Sequence, residues 1–326
     1  MLSERPTFDV RLTPADQTRA LRTDAVTGLT ARPKWLRPTW FYDARGSMLF
    51  DEITRLPEYY PTRTERSILT VHAADIAATT GAETLVELGS GASDKTRLLI
   101  EAGLDHGTLA RFVPLDVSES ALRAAAATLA ARYPKLAVHG VVGDFTRHLD
   151  ALPDTGHRLV VFLGGTIGNL LPPDRARFLA DLRGVLHPGE WLLLGTDLVK
   201  DIPTLLAAYD DPGGVTADFN RNVLRVLNRE LAGDFPVDEF AHVARWDAEG
   251  ERIEMHLRAG RALTVTLAAL DLTIEFADGE DLCTEISAKF RPAGIAAELS
   301  AAGFAVADLW TDPADAFAVT LARAVP

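Results

Sequence analysis

One cysteine, Cys283, stands in 326 residues, so no disulfide can close within the chain. Single-cysteine usage fits a reducing compartment, and the cytoplasm is the expected location. The eight histidines are scattered without zinc-ligand or triad spacing, and no G-x-S-x-G element is present, so neither a metal nor hydrolase chemistry is expected. No apolar run reaches the about 18 residues of a membrane helix. The longest, from Leu159 to Leu171, is broken by Gly, Thr and Asn and reads as a buried strand with its loop. The stretch MLSERPTFDVRLTPADQ carries charge where a secretory signal would be apolar. Basic residues are also short: 33 Lys and Arg against 46 Asp and Glu leave a formal net charge of −13. That balance disfavours a surface built to neutralise nucleic-acid phosphates. A monomer without nucleic-acid or membrane partners is expected. Aromatics make up only 7%, yet Trp35, Trp40, Tyr42, Tyr59 and Tyr60 crowd into the first 60 residues.

What is present is an alternation of strand and helix signals in the middle third. The apolar runs at 84–88, 112–116, 137–142, 159–163 and 191–195 read as buried parallel strands, with an alanine-rich helix over 120–133. Such alternation predicts βαβ crossovers and a doubly wound α/β sheet. The tail predicts a helix over 295–303 and a closing strand pair at 304–310 and 317–322. From Arg252 to Phe290 the pattern alternates as in an antiparallel meander. The first 60 residues show no obvious strand. The expected core is therefore 61–200 with 286–326, interrupted by an α+β domain made of 1–60 and 201–285.

The segment from Glu87 to Thr96 lies where the first core strand turns into a helix, and three ligand classes use such a loop. The dinucleotide fingerprint G-x-G-x-x-G fails at its third glycine, which is Asp94. A phosphate loop beginning at Gly89 has Lys95 and Thr96 in place but meets the same Asp94, a carboxylate beside phosphates. The arrangement Glu87-x-Gly89-x-Gly91 matches the acidic-glycine pattern of S-adenosylmethionine (SAM) binders. Asp116 ends the next strand 25 residues after Gly91, where a carboxylate can take a ribose diol; this spacing suits NAD as well. Asp144 and Phe145 end the third strand, an acid and a ring suited to adenine.

Longer segments go beyond the glycine loop: WFYD (40–43), LFDEITRLPEYYPTRTE (49–65), LVELGSG (85–91), FLGGTIGN (162–169), LGTDLVKD (194–201) and FNRNVL (219–224). Together they resemble the L-histidine Nα-methyltransferases of ergothioneine biosynthesis, in unbroken order from about residue 20 to the end. The resemblance implies a Rossmann-like SAM-methyltransferase core with an inserted substrate-binding domain. It implies three successive methylations of the histidine α-amine to hercynine, with SAM as methyl donor and S-adenosylhomocysteine as product. It implies that Gly89, Lys95, Asp116, Asp144 and Phe145 contact SAM. It implies that Tyr59, Asn169, Tyr209, Glu285 and Ser287 surround histidine, with Tyr42 close to the amine and Gly164, Thr216, Phe219 and Met255 around the pocket. Methylation of another amino acid or amine, and a nonenzymatic SAM sensor, are the competing readings.

Several of these residues carry chemistry on their own. Methyl transfer from a sulfonium is an in-line displacement that needs a neutral amine held in line. Tyr42 and Tyr59 are the candidate catalytic residues at the amine, though adjacent Tyr59 and Tyr60 also suit a strand or helix edge. Asn169 can donate to a carboxylate and accept from an amine, or cap the next helix. Glu285 and Ser287 share one face of a strand and can read both imidazole nitrogens; the competing view is a solvated face with Lys289. Tyr209 can reach the substrate carboxylate, or close the preceding helix hydrophobically.

Overall fold

The computed structural model describes residues 5–91 and 95–326. The chain divides into two compact units. The first takes the stretch up to Thr13, Pro61–Leu198 and Phe290–Pro326; the second takes Pro14–Tyr60 and Val199–Lys289.

Eight strands make the sheet of the first unit: β1 (Thr7–Val10), β2 (Thr84–Leu88), β3 (Arg111–Asp116), β4 (Ala137–Val142), β5 (Arg158–Phe162), β6 (Trp191–Asp197), β7 (Phe304–Thr311) and β8 (Phe317–Ala324). Their order is β1-β4-β3-β2-β5-β6-β8-β7. Every neighbouring pair is parallel except the two that β8 makes with β6 and β7. The chain runs outward from β2 through β3 to β4, then restarts on the other side at β5. Between β2 and β5 the winding therefore reverses, and ligands of open α/β sheets sit outside the carboxyl ends of strands at such a point. Helices α1 (Pro61–Thr80), α2 (Thr96–His106), α3 (Glu119–Arg132), α4 (Pro172–Val185) and α5 (Pro292–Ala301) connect or flank the strands. All of β2, β5 and β6 is buried, as strands covered on both faces must be. Ile68, Leu69 and Ile76 of α1, Leu99 and Ile100 of α2 and Leu129 of α3 pack on that sheet around Phe112, Val161 and Leu193.

This is the doubly wound α/β fold the alternation predicts, with differences at the edges. Residues 7–10 form a strand although the first 60 residues show no strand signal. With only four residues, half-buried at best, β1 has no apolar run to read; it is held by parallel pairing to β4. The chain up to Thr13 accordingly joins the first unit rather than the second. At the other boundary, residues 286–289 belong to the second unit.

In the second unit the four-stranded sheet runs Lys34–Trp35, Asp281–Ala288, Arg252–Ala259, Phe240–Asp247. The expected meander from 252 to 290 is broken. Leu263–Leu267 and Leu272–Phe276 leave as a hairpin of their own, so Arg252–Ala259 pairs directly with Asp281–Ala288. Strand alternation alone does not report which strands share a sheet. The helix Val215–Glu230 buries Phe219, Val223, Leu227 and Val226 at helical spacing and packs on Ala44–Ile53. Helices Pro14–Thr30 and Ile202–Ala207 complete the unit. Among the described residues no helix is long and apolar enough to cross a membrane.

Candidate active site

In the first unit the loop after β2 sits at the winding reversal. Gly89 and Gly91 adopt φ of 66° and 49°, a region that strains any side chain. The Gly89 N–H donates to the Leu115 carbonyl at 2.9 Å, tying the loop to β3. Asp94 lies outside the described residues.

Asp116, at the end of β3, accepts the Gly91 N–H on Oδ2 and the Ser118 N–H on Oδ1, both at 2.9 Å. It does not cap the following helix; the Ser118 hydroxyl does that. Burial raises the Asp116 carboxyl above its ordinary pKa, against the pull of these backbone donors. After β4, Asp144 Oδ1 accepts the N–H and hydroxyl of Thr146 at 2.8 and 2.7 Å. The Phe145 ring packs 4.9 Å from Phe162, and its edge lies 3.9 Å from where a β-carbon on Gly89 would be. Loop and ring thus face each other without a side chain between.

Lys95 donates from Nζ to Glu65, a fully buried carboxylate on α1. Glu65 also accepts the Gly164 N–H, at 2.9 Å on Oε1 and 3.0 Å on Oε2. The sequence assigned Glu65 no role. Its signal is its position: it precedes the buried Ile68 and Leu69 by three and four residues, so a carboxylate stands on the core face of α1. Asn169 closes the short 3₁₀ turn Thr166–Asn169, seven residues beyond the end of β5. It does not cap α4, whose cap position is Leu171. Its half-buried side-chain amide makes no hydrogen bond among the described residues.

Carboxylates at Asp116 and Asp144, a ring at Phe145, glycines in the loop and an ammonium at Lys95 fit a nucleoside with an amino-acid tail. Among the described residues no group of three or more His, Cys, Asp or Glu side chains could hold a metal ion.

The second unit gathers the aromatic residues. Tyr42 follows the turn Pro38–Phe41, and Asp43 caps Ala44–Ile53 by accepting the Gly46 N–H at 2.8 Å. Ring centroids run in sequence from Tyr42 to Phe50 (5.6 Å), Phe50 to Tyr59 (6.2 Å) and Tyr59 to Tyr209 (6.4 Å), each edge to face. Phe219 lies 5.5 Å from Tyr42 and 5.9 Å from Phe50. Phe50, which the sequence did not single out, is therefore the hub that joins the two candidate catalytic tyrosines. Tyr59 and Tyr60 belong to neither a strand nor a helix; the Tyr60 hydroxyl accepts from Lys200 at 2.6 Å.

Tyr209 and Ser287 meet hydroxyl to hydroxyl at 2.7 Å. Lys289 donates to both, at 2.9 Å to Tyr209 and 2.8 Å to Ser287. Lys289 is 4% exposed, so this strand end is not a solvated face. A bulge between Cys283 and Glu285 resets the register, placing Glu285 opposite Met255 and Ser287 opposite Ile253. Glu285 is half-buried, and its carboxylate has no hydrogen-bond partner among the described residues. Burial pushes that carboxyl up to about 7, although the Lys289 charge pulls it down. The Thr216 N–H is held by Asp211 at 2.7 Å.

The family described as histidine-specific, SAM-dependent methyltransferase matches residues 21–324. A histidine N-alpha-methyltransferase of Mycolicibacterium smegmatis is 58% identical over 303 residues, 93% of this chain and 94% of that protein. A protein of the same description from Mycobacterium tuberculosis is 56% identical over the same shares. Ergothioneine biosynthesis protein 1 of Neurospora crassa is 36% identical over 208 residues, 62% of this chain and 23% of that much longer protein.

Proposed function

Because this chain belongs to the SAM-dependent, histidine-specific methyltransferase family, we propose that it methylates the α-amine of L-histidine three times, giving hercynine for ergothioneine biosynthesis. The observation that carries this reading is the 58% identity to a histidine N-alpha-methyltransferase across 93% of the chain.

In this reading Gly89, Lys95, Asp116, Asp144 and Phe145 hold SAM, which when bound supplies an electrophilic methyl on a sulfonium. Asp116 takes the ribose hydroxyls, Asp144 the adenine amino group beside the Phe145 ring, and Lys95 the carboxylate of the tail. Tyr42 and Tyr59 orient the substrate amine, and their neutral hydroxyls leave its lone pair available. A closed, water-poor site favours the neutral amine, so alignment rather than a strong base lowers the barrier. Asn169 and Tyr209 serve the amino-acid end, and Glu285 with Ser287 serves the imidazole. The enzyme acts as a cytoplasmic monomer on small molecules.

Mass spectrometry of purified protein incubated with SAM and each of a panel of amino acids tests the reading. Histidine gaining three methyl groups is the expected result. SAM binding without methylated histidine would transfer the substrate assignment to whichever amine of the panel reacts. Binding without any turnover would leave a sensor.

A further inference from the structure

Asn220, fully buried on the helix Val215–Glu230, joins three stretches of its unit through one side-chain amide. Its Nδ2 donates to the His256 carbonyl at 3.0 Å and meets His242 Nδ1 at 2.8 Å. Its Oδ1 accepts the Thr284 hydroxyl at 2.6 Å; that hydroxyl also lies 3.0 Å from the Met255 carbonyl. A carbonyl can only accept, so Nδ2 must face His256 and the orientation of the amide is settled. His242 Nδ1 is then an acceptor, and the Nε2–H of this neutral ring donates to the Tyr209 carbonyl at 2.8 Å.

Thr284 is the extra residue of the bulge between Cys283 and Glu285. Asn220 therefore grips the bulge from both strands, through Thr284 on one and His256 on the other. The bulge decides where Glu285 points, because a shift of one residue exchanges the two faces of a sheet. Continuing the register of Leu282 and Cys283 would set Glu285 opposite Glu254, a carboxylate already taken by Arg245, Arg252 and His256. Like charges directly opposite repel. The extra residue instead brings Glu285 opposite Met255, on the same face as Ser287. Ser287 has Tyr209 and Lys289 to hold it there. The Glu285 carboxylate has no hydrogen-bond partner among the described residues, so its aim rests on the backbone beneath it.

We propose that Asn220 is a positioning residue that pins the bulge at Thr284 and thereby aims the Glu285 side chain at the substrate imidazole. An amide suits this task because it offers two donors and an acceptor in one rigid plane. An aliphatic side chain offers neither, and an aspartate would press a carboxylate against the His256 carbonyl. The inference deepens the reading above, in which Glu285 serves the imidazole, and rests on it.

The test is calorimetry of histidine binding to the full chain with S-adenosylhomocysteine present, on Asn220→Ala, Thr284→Val and Glu285→Ala, alone and combined. Asn220→Ala is expected to weaken histidine about tenfold, the worth of one charge-assisted hydrogen bond misplaced. Thr284→Val, which removes the hydroxyl at the bulge and keeps the volume, should weaken it several-fold. The affinity for S-adenosylhomocysteine should hold in both. In the Glu285→Ala background Thr284→Val should cost nothing and Asn220→Ala no more than about twofold, because no carboxylate is left to aim. A merely structural asparagine would weaken histidine equally in both backgrounds, and that result overturns the proposal alone. So does normal histidine binding in Asn220→Ala, or a matching loss of S-adenosylhomocysteine. A Glu285→Ala variant that binds histidine normally overturns the imidazole reading beneath it. Should Asn220→Ala fail to fold, Thr284→Val in the two backgrounds decides.

Discussion

The Glu65 carboxylate occupies the space that a β-carbon on Gly195 would need: such an atom would lie 2.0 Å from Oε1. Gly195 sits inside β6, where glycine ordinarily weakens a strand, so the benefit is the close approach. The approach puts a fully buried carboxylate against the Gly164 N–H and the Lys95 ammonium, two groups on separate loops at the carboxyl edge of the sheet. One buried acid on α1 thus fixes two loop residues.

Gly195→Ala should therefore cost both stability and SAM affinity. Overpacking of this kind costs about 1–3 kcal/mol, and here the displaced atoms are those that hold Lys95. Thermal unfolding and SAM calorimetry on the variant check it, with a several-fold rise in Kd expected. A variant that melts early yet binds SAM normally would confine Glu65 to the core.

The ring contacts of Phe50 with Tyr42, Tyr59 and Phe219 predict a different signature. Aromatic pairs contribute about 0.5–1.5 kcal/mol each beyond area burial, so Phe50→Ala should destabilise the second unit measurably. It should also loosen both tyrosines and lower kcat/KM for histidine by at least about tenfold. SAM affinity should hold. Steady-state kinetics on Phe50→Ala and Phe50→Leu, with Leu intermediate, test this; loss of SAM binding instead would contradict the assignment.

The strands of the first sheet were readable because residues buried on both faces give unbroken apolar runs: residues 84–88, 137–142 and 159–163 all fall in strands. The edge strand at Thr7–Val10 escaped because four residues paired on one side carry no such run. The candidate SAM-loop residues Asp116 and Asp144 were legible as polar residues that end apolar runs. Glu65 and Lys289 were not, for an opposite reason. Each is a charge buried by partners distant in sequence, Lys95 and Gly164 for one and Tyr209 for the other, and local pattern assigns a charge to solvent by default. The bulge before Glu285 escaped as well, since a single extra residue does not alter composition.

Arg158 and Glu190 form a buried pair at the amino ends of β5 and β6, with Nε to Oε1 at 2.8 Å and Nη2 to Oε2 at 2.6 Å. Both residues are 2% exposed. This edge is opposite the proposed SAM loops, so variants of the pair should separate stability from catalysis. Arg158→Met should cost about 3–5 kcal/mol by leaving a buried carboxylate without its partner. Folded variant, assayed well below its Tm, should keep wild-type KM for histidine. The double variant with Glu190→Gln should recover part of the loss. A selective change in KM would show that the two edges of the sheet are coupled.

Glu285 supplies a pH signature. Its folded carboxyl titrates at about 7, above the ordinary 4.5 of an unfolded chain, because burial disfavours its charge. Between those values the folded protein holds a proton that the unfolded chain has released, so protonation favours folding there. The contribution is fully present below about pH 4.5 and is lost as pH rises through about 7. Glutamine at 285 is neutral at every pH and lacks this dependence. The Tm of wild type relative to Glu285→Gln should therefore rise as pH falls from about 8 to about 5, while titrations elsewhere cancel in the difference. The same variant should raise the histidine KM about tenfold or more and leave SAM affinity intact, because a neutral amide replaces the charged acceptor for the ring N–H. A flat Tm difference across that range would mean that Glu285 titrates as an ordinary surface carboxylate, and an imidazole contact would then have to be stabilised by Ser287 alone.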